Sequence, residues 1–440
     1  MRSKLIISIL VSAAVIIQSA AQVPVVAPSQ KKPVMITGGT IHTGTGEVIE
    51  NGVVAFSNGK ITWVGKSSEN KLDKSTYEVI DVSGRQVYPG LIFPNTTLGL
   101  VEIGGVDVTV DSRELGDLNP NVRAIAAYNT DSHVMPVIRS NGILIAQIVP
   151  QGSLLPGTCS VVQLDAWNWK DAAYKMDNGI MMGWPRKAAM AGRAASFYAQ
   201  LGAMATSSYD RNVEQLEKIF TDAVAYATIE KPVTVNLRLE AMKGLFDGSK
   251  ILFISSSEPK GIISAVTFAK RYGVKKMVLT DAGEPAWAVK EFLKENNIPV
   301  LVTNPQSLPA YEHSDVRLPF KLASMFTKEG ILVGLCYSKQ AYGNLPFAAG
   351  QTVAYGLTRE EALQTVTLNT AKILGIDDKT GSLEAGKDAN IVVSTGDLLD
   401  MRTNNVELAF ITGRSIDLDN KHKELNRRFQ AKYDNMKSAK

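Results

Sequence analysis

Apolar residues along the chain follow two different periods, and the change between them divides the chain into segments. From 34 to 87 short apolar runs alternate with polar residues, and Gly38-Gly39, Asn51-Gly52 and Asn58-Gly59 predict hairpin turns between antiparallel strands. From 92 to 374 apolar runs typical of buried strands alternate with helical stretches, and from 381 to 414 a strand pattern returns. This order predicts an α/β fold, a (β/α)8 TIM-like barrel with a small β-sandwich built from both chain ends.

The predicted elements and domains have the following bounds. Barrel strands are predicted at 143–149, 233–237, 251–255, 276–279, 300–303 and 331–335, and helices at 213–228, 259–272, 286–296, 318–329 and 359–374. The Ala- and Met-rich span 176–208 predicts an irregular helical insertion beside the barrel mouth. The predicted domains are a signal peptide (1–21), a flexible lead (22–33), a composite β-sandwich (34–88 and 376–418), a barrel (89–375) and a charged C-terminal helix (419–440).

The first 21 residues are typical of an export signal. Arg2 and Lys4 precede an apolar run at 5–17, and Ser19-Ala20-Ala21 supplies the small residues that signal peptidases accept. The run is shorter than the roughly 20 residues that a membrane-spanning helix needs. We therefore expect export to the periplasm or cell surface of a Gram-negative-type bacterium, with no transmembrane span in the mature chain.

Composition and charge narrow the class of protein. A hydrophobic content of 45% and a charged content of 20% are typical of soluble globular proteins. The net charge of +4 is small, and no basic face indicates nucleic-acid binding. Basic residues concentrate at 421–440, which contains seven basic and two acidic residues. Such a charged segment is typical of a solvated helix. Cys159 and Cys336 lack metal-site spacing, and buried thiols are favoured over a disulfide.

Three motifs and the segment GLIFPNTTLGL at 90–100 carry a family resemblance. The motifs are ITGGTIHTGTGEVIENG, DVSGRQVYPGLI and GLTREEALQTVTLNTAKILGIDDKTGSLEAGKDANIVV. Residues 34–420 resemble the amidohydrolase superfamily, most closely its imidazolonepropionase-like branch, and the middle segments are similar to secreted bacterial members. The resemblance implies a barrel whose mouth binds one or two divalent cations, often zinc, through paired histidines, further single histidines and an aspartate. It also implies hydrolysis of C–N bonds by metal-activated water.

The sequence departs from that ligand pattern at each strand end. Asn95 and Thr97 stand where the family has paired histidines, and Ser255 or Ser256 stands where a further histidine is expected. The next strand end offers Thr280, Asp281 and Glu284, and the last offers Tyr337 and Ser338 in place of the aspartate motif. The four histidines of the chain are His42, His133, His313 and His422, and their spacing does not predict a metal site. No cofactor is expected, and zinc would bind only if this interpretation of the ligands is wrong.

Six residues are predicted to ring the barrel mouth and to hydrogen-bond a small polar ligand. They are Asn95, Thr97, Ser255, Asp281, His313 and Ser338. Seven carboxylates near the mouth offer an alternative, a calcium or magnesium site or an altered hydrolytic centre, because those cations prefer oxygen ligands. These are Glu102, Asp107, Asp111, Glu114, Asp117, Asp281 and Glu284, and their other interpretation is helix capping, turns and loop ion pairs.

Two functions from different classes follow. The first is a metal-free relative in the bacterial envelope that acts as a non-catalytic binding or partner subunit. Such a subunit is expected to form a homo-oligomer or to assemble with a paralogue or an envelope complex. The second is a hydrolase acting on C–N bonds of cyclic amides or small peptides, as the resemblance implies. Fold alone does not choose between them, because function depends on the site.

Overall fold

A computed structural model describes residues 25–186, 195–337 and 342–438, with side chains described except at 195–207 and 438. The predicted signal peptide at 1–21 and the predicted site residue Ser338 lie outside the described residues.

The strands follow one another along the chain within these bounds. They are β1 (Val34–His42), β2 (Val48–Ser57), β3 (Lys60–Lys66), β4 (Glu78–Asp81), β5 (Gln86–Pro89), β6 (Leu91–Thr96), β7 (Ile143–Ile148), β8 (Gly157–Gln163), β9 (Ala173–Gly183), β10 (Ile251–Ser255), β11 (Met277–Ala282), β12 (Val300–Thr303), β13 (Val333–Cys336), β14 (Ile391–Ser394), β15 (Val406–Ile411) and β16 (Arg414–Ser415).

The α-helices lie mostly between the barrel strands. In chain order they are α1 (Val134–Arg139), α2 (Trp169–Ala172), α3 (Ala195–Ala227), α4 (Leu237–Asp247), α5 (Pro259–Arg271), α6 (Glu284–Trp287), α7 (Lys290–Glu295), α8 (Leu318–Lys328), α9 (Leu345–Val353), α10 (Arg359–Thr365), α11 (Leu368–Leu374) and α12 (Lys421–Ser438). None of the described helices is both long and apolar enough to cross a membrane.

Strands β6 to β13 form one eight-stranded sheet in sequential order, and the sheet nearly closes into a barrel. Its two outermost strands, β6 and β13, lie side by side, and Cys336 Sγ donates to the Pro94 carbonyl at 3.3 Å. Neighbouring strands run parallel except at β8, which is antiparallel to both β7 and β9. The predicted barrel is therefore present in outline, but β8 departs from a strict (β/α)8 order.

Continuous apolar runs explain why the barrel strands form where they do. Ile143–Ile148 is buried at every position, and in Ile251–Ser255 only the last residue is partly exposed. Strands covered by helices on one side and by a packed interior on the other are apolar on both faces, unlike strands with one solvated face. The predicted strands at 143–149, 251–255 and 300–303 are confirmed within a residue for this reason.

Two sequence predictions in the barrel half are wrong. The span 176–208 was predicted to be an irregular helical insertion, but its first part belongs to β9, which pairs with β8 and β10. The strand predicted at 233–237 does not exist, because α4 begins at Leu237 and Val233 is fully exposed. At β9, pairing with two neighbouring strands overrides the local preference for helix. At 233–237, no strand forms because the segment pairs with no neighbouring strand in the described structure. The helices predicted at 286–296 and 359–374 are each broken into two.

The second sheet combines strands from both chain ends. Its order is β16-β15-β14-β5-β1-β2-β3, with β4 paired to β1, and the antiparallel β5–β14 pair joins the two chain ends. The predicted β-sandwich is thus one hydrogen-bonded eight-stranded sheet rather than two separate sheets. It curls so that the Ile61 amide reaches the Lys387 carbonyl at 2.8 Å. Phe56 and Phe410 pack edge to face in its core, 5.1 Å apart.

Only one of the three predicted hairpin turns is a turn. Asn58 and Gly59 connect β2 to β3 with positive φ values of 51° and 77°. Gly38-Gly39 and Asn51-Gly52 instead lie inside β1 and β2, where the pairing register shifts around Gly39. A positive φ occurs in β-bulges as well as in turns. The Gly-Gly and Asn-Gly dipeptides alone therefore do not distinguish a bulge from a turn.

A buried ion cluster ties the second sheet to the barrel. The Asp165 carboxylate accepts hydrogen bonds from Arg139 of α1 at 2.6 Å and from Arg414 of β16 at 2.8 Å. The same carboxylate accepts the Ala27 amide at 3.0 Å. The Asp165 side chain is 3% exposed, so the two guanidinium groups compensate a carboxylate that water does not reach.

Candidate functional site

The carboxyl ends of the parallel barrel strands meet at one mouth, and the predicted polar residues lie there. Asn95 lies near the end of β6, Ser255 ends β10 and Asp281 lies near the end of β11. Thr303 ends β12 in the same way. Because all of these strands run in one direction, their terminal side chains converge.

Asp281 is the centre of this group. Its Oδ2 lies 3.1 Å from the Ser255 hydroxyl, and its Oδ1 lies 3.4 Å from Asn95 Nδ2 and 3.5 Å from the Thr303 hydroxyl. The Thr280 hydroxyl also lies 3.4 Å from Oδ2. These four distances are long for hydrogen bonds to a carboxylate, so each bond is weak. The residue is also exposed. The carboxylate is therefore accessible to a ligand, whose donor can replace one of these long hydrogen bonds.

Three residues at this mouth have left-handed backbone. Asn95, Asp281 and Asn304 have φ values of 50°, 53° and 48°, and Asn304 directly follows β12. Asn and Asp tolerate this conformation better than other L-residues, since their short polar side chains can hydrogen-bond locally. At Asp281 it coincides with a break in the β11–β12 pairing between Leu279 and Ala282. Residues with this backbone conformation are common at functional sites, where the conformation directs their side chains into a pocket.

Asn95 is fixed in place by hydrogen bonds to buried residues of the barrel. It is 1% exposed, and its backbone amide donates to Gln147 Oε1 at 3.1 Å. Gln147 is itself fully buried on β7 and reaches Cys159 Sγ at 3.4 Å. The Asn95 Oδ1 atom is buried without a hydrogen-bond partner among the described residues. An unsatisfied buried oxygen beside a cavity is a site at which a ligand donor lowers the free energy.

Two cavities adjoin at Asp281. One of about 380 Å³ extends toward β9, and its lining includes Asn95, Ser255 and Asp281. The other, of about 370 Å³, extends toward β12, and its lining includes Thr97, Thr303 and Asp281. Both volumes lie within the range of small-molecule sites.

Arg113 lines both cavities as well. It lies in the long loop between β6 and α1 and is exposed. Within residues 25–186, 195–337 and 342–438 its guanidinium makes no hydrogen bond or ion pair. The loop is positioned by the Gln151 amide, which donates to the Ser112 carbonyl at 2.6 Å. The mouth thus offers one carboxylate and one guanidinium to the same bound molecule.

The remaining predicted site residues have different outcomes. Thr97 is 3% exposed, lines the second cavity and hydrogen-bonds Tyr342, whose pKa is raised by burial. His313 is not in the lining of either cavity, because it lies exposed in the loop after β12 and stacks on Tyr311 at 5.6 Å. Ser338 lies outside the described residues.

The donor set does not fit the zinc centre that the family resemblance implies. Zinc needs three or four nitrogen, sulfur or carboxylate ligands, whereas Asp281 is surrounded by neutral groups. Asn95 turns an N–H donor, as assigned from the hydrogen bonds, toward the point where a metal ligand would offer a lone pair. The described residues hold no group of three His, Cys, Asp or Glu side chains suited to a metal. The remaining residues of the chain contain none of these four types.

We therefore expect protein purified without chelator, soaked in zinc and dialysed to retain less than about 0.1 equivalent of zinc, since too few ligands converge. Elemental analysis checks this. Retention of near one equivalent through dialysis would contradict this interpretation of the ligands.

Two of the other acidic residues considered for a cation site bind loop residues instead. Glu102 accepts hydrogen bonds from Asn129 at 3.1 Å and from Ser132 at 2.9 Å. Glu284 accepts the Ala310 amide at 2.9 Å and thereby anchors the loop that carries His313. These contacts favour the turn and capping interpretation over an oxygen-ligand site.

The sequence prediction missed several polar residues of the mouth. Among the described residues they include Arg113, Gln151, Thr303 and Asn304. Thr303 ends a predicted strand and Asn304 follows it, so applying the strand-end argument to β12 would have found them. Arg113 and Gln151 lie in loops, and no local pattern distinguishes them from other loop residues.

Comparisons with known proteins agree with this architecture. Residues 219–416 match the model of the amidohydrolase family. An amidohydrolase from Thermotoga maritima has a similar structure, with 24% identity, a TM-score of 0.72 and coverage of 87% of this chain and 99% of its own. A prolidase complexed with N-methylphosphonate-L-proline is similar at 14% identity and a TM-score of 0.53, over 88% of this chain and 99% of its own. The predicted resemblance to the amidohydrolase superfamily is thus confirmed.

Similarity to individual curated proteins is confined to a short segment. An imidazolonepropionase of Bacillus cereus is 53% identical over 51 residues, which is 12% of this chain and 12% of the relative. An imidazolonepropionase of Bacillus anthracis is 51% identical over a segment of the same length and coverage. The chain thus matches about an eighth of the length of these relatives.

Proposed function

We propose that this chain binds a small polar compound at the barrel mouth without a metal, as a binding or partner subunit of the bacterial envelope. The ligand class is a short peptide or amide that carries both a cationic amino group and a carboxylate. The observation behind the proposal is the presence of Asp281 and Arg113, of opposite charge, on the walls of the same two cavities.

Charge and hydrogen-bonding capacity support this ligand class. Asp281 is exposed and its hydrogen bonds are long, so an ammonium group can replace one of them. The buried Oδ1 atoms of Asn95 and Asn304 lack partners among the described residues. Arg113 presents a fork of donors that matches a carboxylate in two parallel hydrogen bonds. A zwitterionic ligand satisfies both charges at once, whereas a neutral amide leaves the charged groups uncompensated.

The test is a screen of dipeptides, amino-acid amides and cyclic amides by thermal shift, followed by calorimetric titration of compounds that bind. We expect Asp281→Asn and Arg113→Gln each to weaken binding by about 1.5–3 kcal/mol, or roughly 10- to 150-fold, because each removes a charge-assisted hydrogen bond. Asn tolerates the left-handed backbone at position 281, so the first variant is expected to keep its fold.

The matched control is Asp131→Asn, which removes an exposed carboxylate that lines neither cavity. Its dissociation constant is expected to equal that of the wild type within about twofold, since surface charges away from a site contribute little. Binding that survives both Asp281→Asn and Arg113→Gln would disprove this placement of the site. A screen in which only uncharged cyclic amides bind would disprove the ligand class.

A hydrolase of C–N bonds is the second candidate. It is favoured by the exposed position of Asp281 at a strand end, where a carboxylate can take a proton from water beside a bound amide. Solved structures with this fold include a Xaa-Pro dipeptidase with bound methionine, at 13% identity and a TM-score of 0.51. Mass spectrometry of the same compounds after incubation with the protein distinguishes the candidates. Turnover that is lost in Asp281→Asn would favour the hydrolase.

A further inference from the structure

The last described helix, α12, stands away from the body of the protein. Asn420 begins it by accepting the Lys423 amide at 3.0 Å, and it ties the helix to the barrel through Ser140 at 3.1 Å. Every residue from 426 to 437 is exposed. An isolated helix of this length is marginal in water. Within the part of the chain that the structure describes, α12 lacks the packing that normally stabilises such a helix.

One side of α12 is apolar. The stripe consists of Leu425, Phe429, Tyr433 and Met436. At about 100° per residue these positions fall within about 80° of the helix circumference. Phe429, Tyr433 and Met436 are 50%, 54% and 56% exposed. The charge of this segment predicts a solvated helix, but its large apolar side chains share one face.

Charge is arranged around this apolar stripe. The helix holds six Lys and Arg residues against two acidic ones. At the same angular spacing, Lys421, Arg428 and Lys432 flank one edge of the stripe, and Lys423 and Lys437 lie beyond the other. Glu424 and Asp434 lie on the opposite side. Arg427 also faces away from the stripe and pairs with Asp419 at 2.7 Å.

We propose that α12 docks onto an anionic lipid surface, lying in the membrane plane with its apolar stripe inserted. An apolar face containing Phe and Leu, bordered by Lys and Arg, is the pattern of helices that bind at a membrane interface. A tyrosine suits that boundary because its ring is apolar and its hydroxyl reaches water. A second copy of the chain fits less well, because the basic edges of two such helices repel each other.

The experiment is co-sedimentation of the mature chain with vesicles of phosphatidylcholine, either pure or containing about 30% phosphatidylglycerol. We expect binding to the anionic vesicles at least about tenfold tighter than to the neutral ones, and weaker at high salt. Phe429→Gln combined with Met436→Gln is expected to lower the affinity by at least about tenfold. Unchanged melting temperatures establish that these exposed substitutions leave the fold intact.

A matched pair of charge variants tests the orientation of the helix. Lys432→Gln, at the edge of the stripe, is expected to weaken binding roughly fivefold. Arg427→Gln removes the same charge from the opposite side and is expected to change binding less than twofold, since its partner is Asp419. Equal losses in the two variants would overturn the docking geometry.

Three results would overturn the proposal itself. These are no vesicle binding by the wild type, equal binding to neutral and anionic vesicles, and unchanged binding in the Phe429→Gln, Met436→Gln variant. A dimer that this double variant dissociates, without vesicle binding, would identify a second copy as the occupant instead. Light scattering coupled to size-exclusion chromatography measures that outcome. The barrel-mouth ligand screen is independent of all of these results.

Discussion

Replacing Asp165 by Asn is expected to lower the free energy of unfolding by about 3–5 kcal/mol. The carboxylate is 3% exposed and compensates Arg139 and Arg414, whose side chains are 10% and 14% exposed. An amide keeps the shape but removes the charge, so two poorly solvated guanidinium groups lose their counter-ion. The substitution weakens the contact between the barrel and the second sheet, because Arg139 belongs to α1 and Arg414 to β16.

Urea denaturation of the two proteins measures this loss. The control is Glu217→Gln, which breaks an ion pair to Arg271 whose partners are 43% and 58% exposed. That change is expected to cost less than about 1 kcal/mol, because solvent screens exposed pairs. Equal effects of the two substitutions would show that the buried cluster contributes no more than a surface pair.

Replacing Asn95 by Asp is expected to destabilise the fold by about 3 kcal/mol at pH 7. Asn95 is 1% exposed, and its Nδ2 lies 3.4 Å from Asp281 Oδ1, so the substitution places two carboxylates together and removes a donor. Repulsion raises the folded-state pKa of the introduced carboxyl above its unfolded value. The variant therefore loses little stability at low pH, where the introduced carboxyl is protonated. The loss of stability grows as the pH rises through the folded-state pKa of that carboxyl.

Denaturation at pH 7 and at about pH 4 tests this expectation, and the difference from wild type should shrink at the lower pH. Asn58→Asp is the control, because Asn58 has nearly the same backbone, with φ of 51°, but lies exposed in a hairpin turn. Its effect is expected to stay within about 0.5 kcal/mol. A deficit in Asn95→Asp that does not depend on pH would point to packing rather than charge.

Local sequence predicts the barrel well where burial on both faces makes the pattern unambiguous. Ile143–Ile148 and Ile251–Ser255 are apolar nearly throughout, so their strands were found close to their actual bounds. The strand predicted at 233–237 failed because β-branched residues favour a strand only when a neighbouring strand is available to pair. Val233 has no such neighbour and is fully exposed.

The sequence likewise predicts some residues of the candidate site and misses others. Asn95, Ser255 and Asp281 were predicted to converge because the carboxyl ends of parallel strands meet at one mouth, and the distances among them agree. Arg113 was missed because its position depends on a loop held by contacts with distant segments, such as the hydrogen bond from the Gln151 amide to the Ser112 carbonyl at 2.6 Å. Loop positions of this kind have no periodic signal.

The sequence by itself determined the α/β class, the polar replacements at Asn95 and Thr97, and the scarcity of histidine, because these depend only on residue identity and spacing. Only the tertiary structure decided that β8 runs against its neighbours, that Arg113 shares its cavities with Asp281, and that the apolar stripe of α12 stays uncovered. Those features arise from contacts, or missing contacts, between residues far apart in the chain. Local preferences of roughly 1 kcal/mol or less per residue do not specify them.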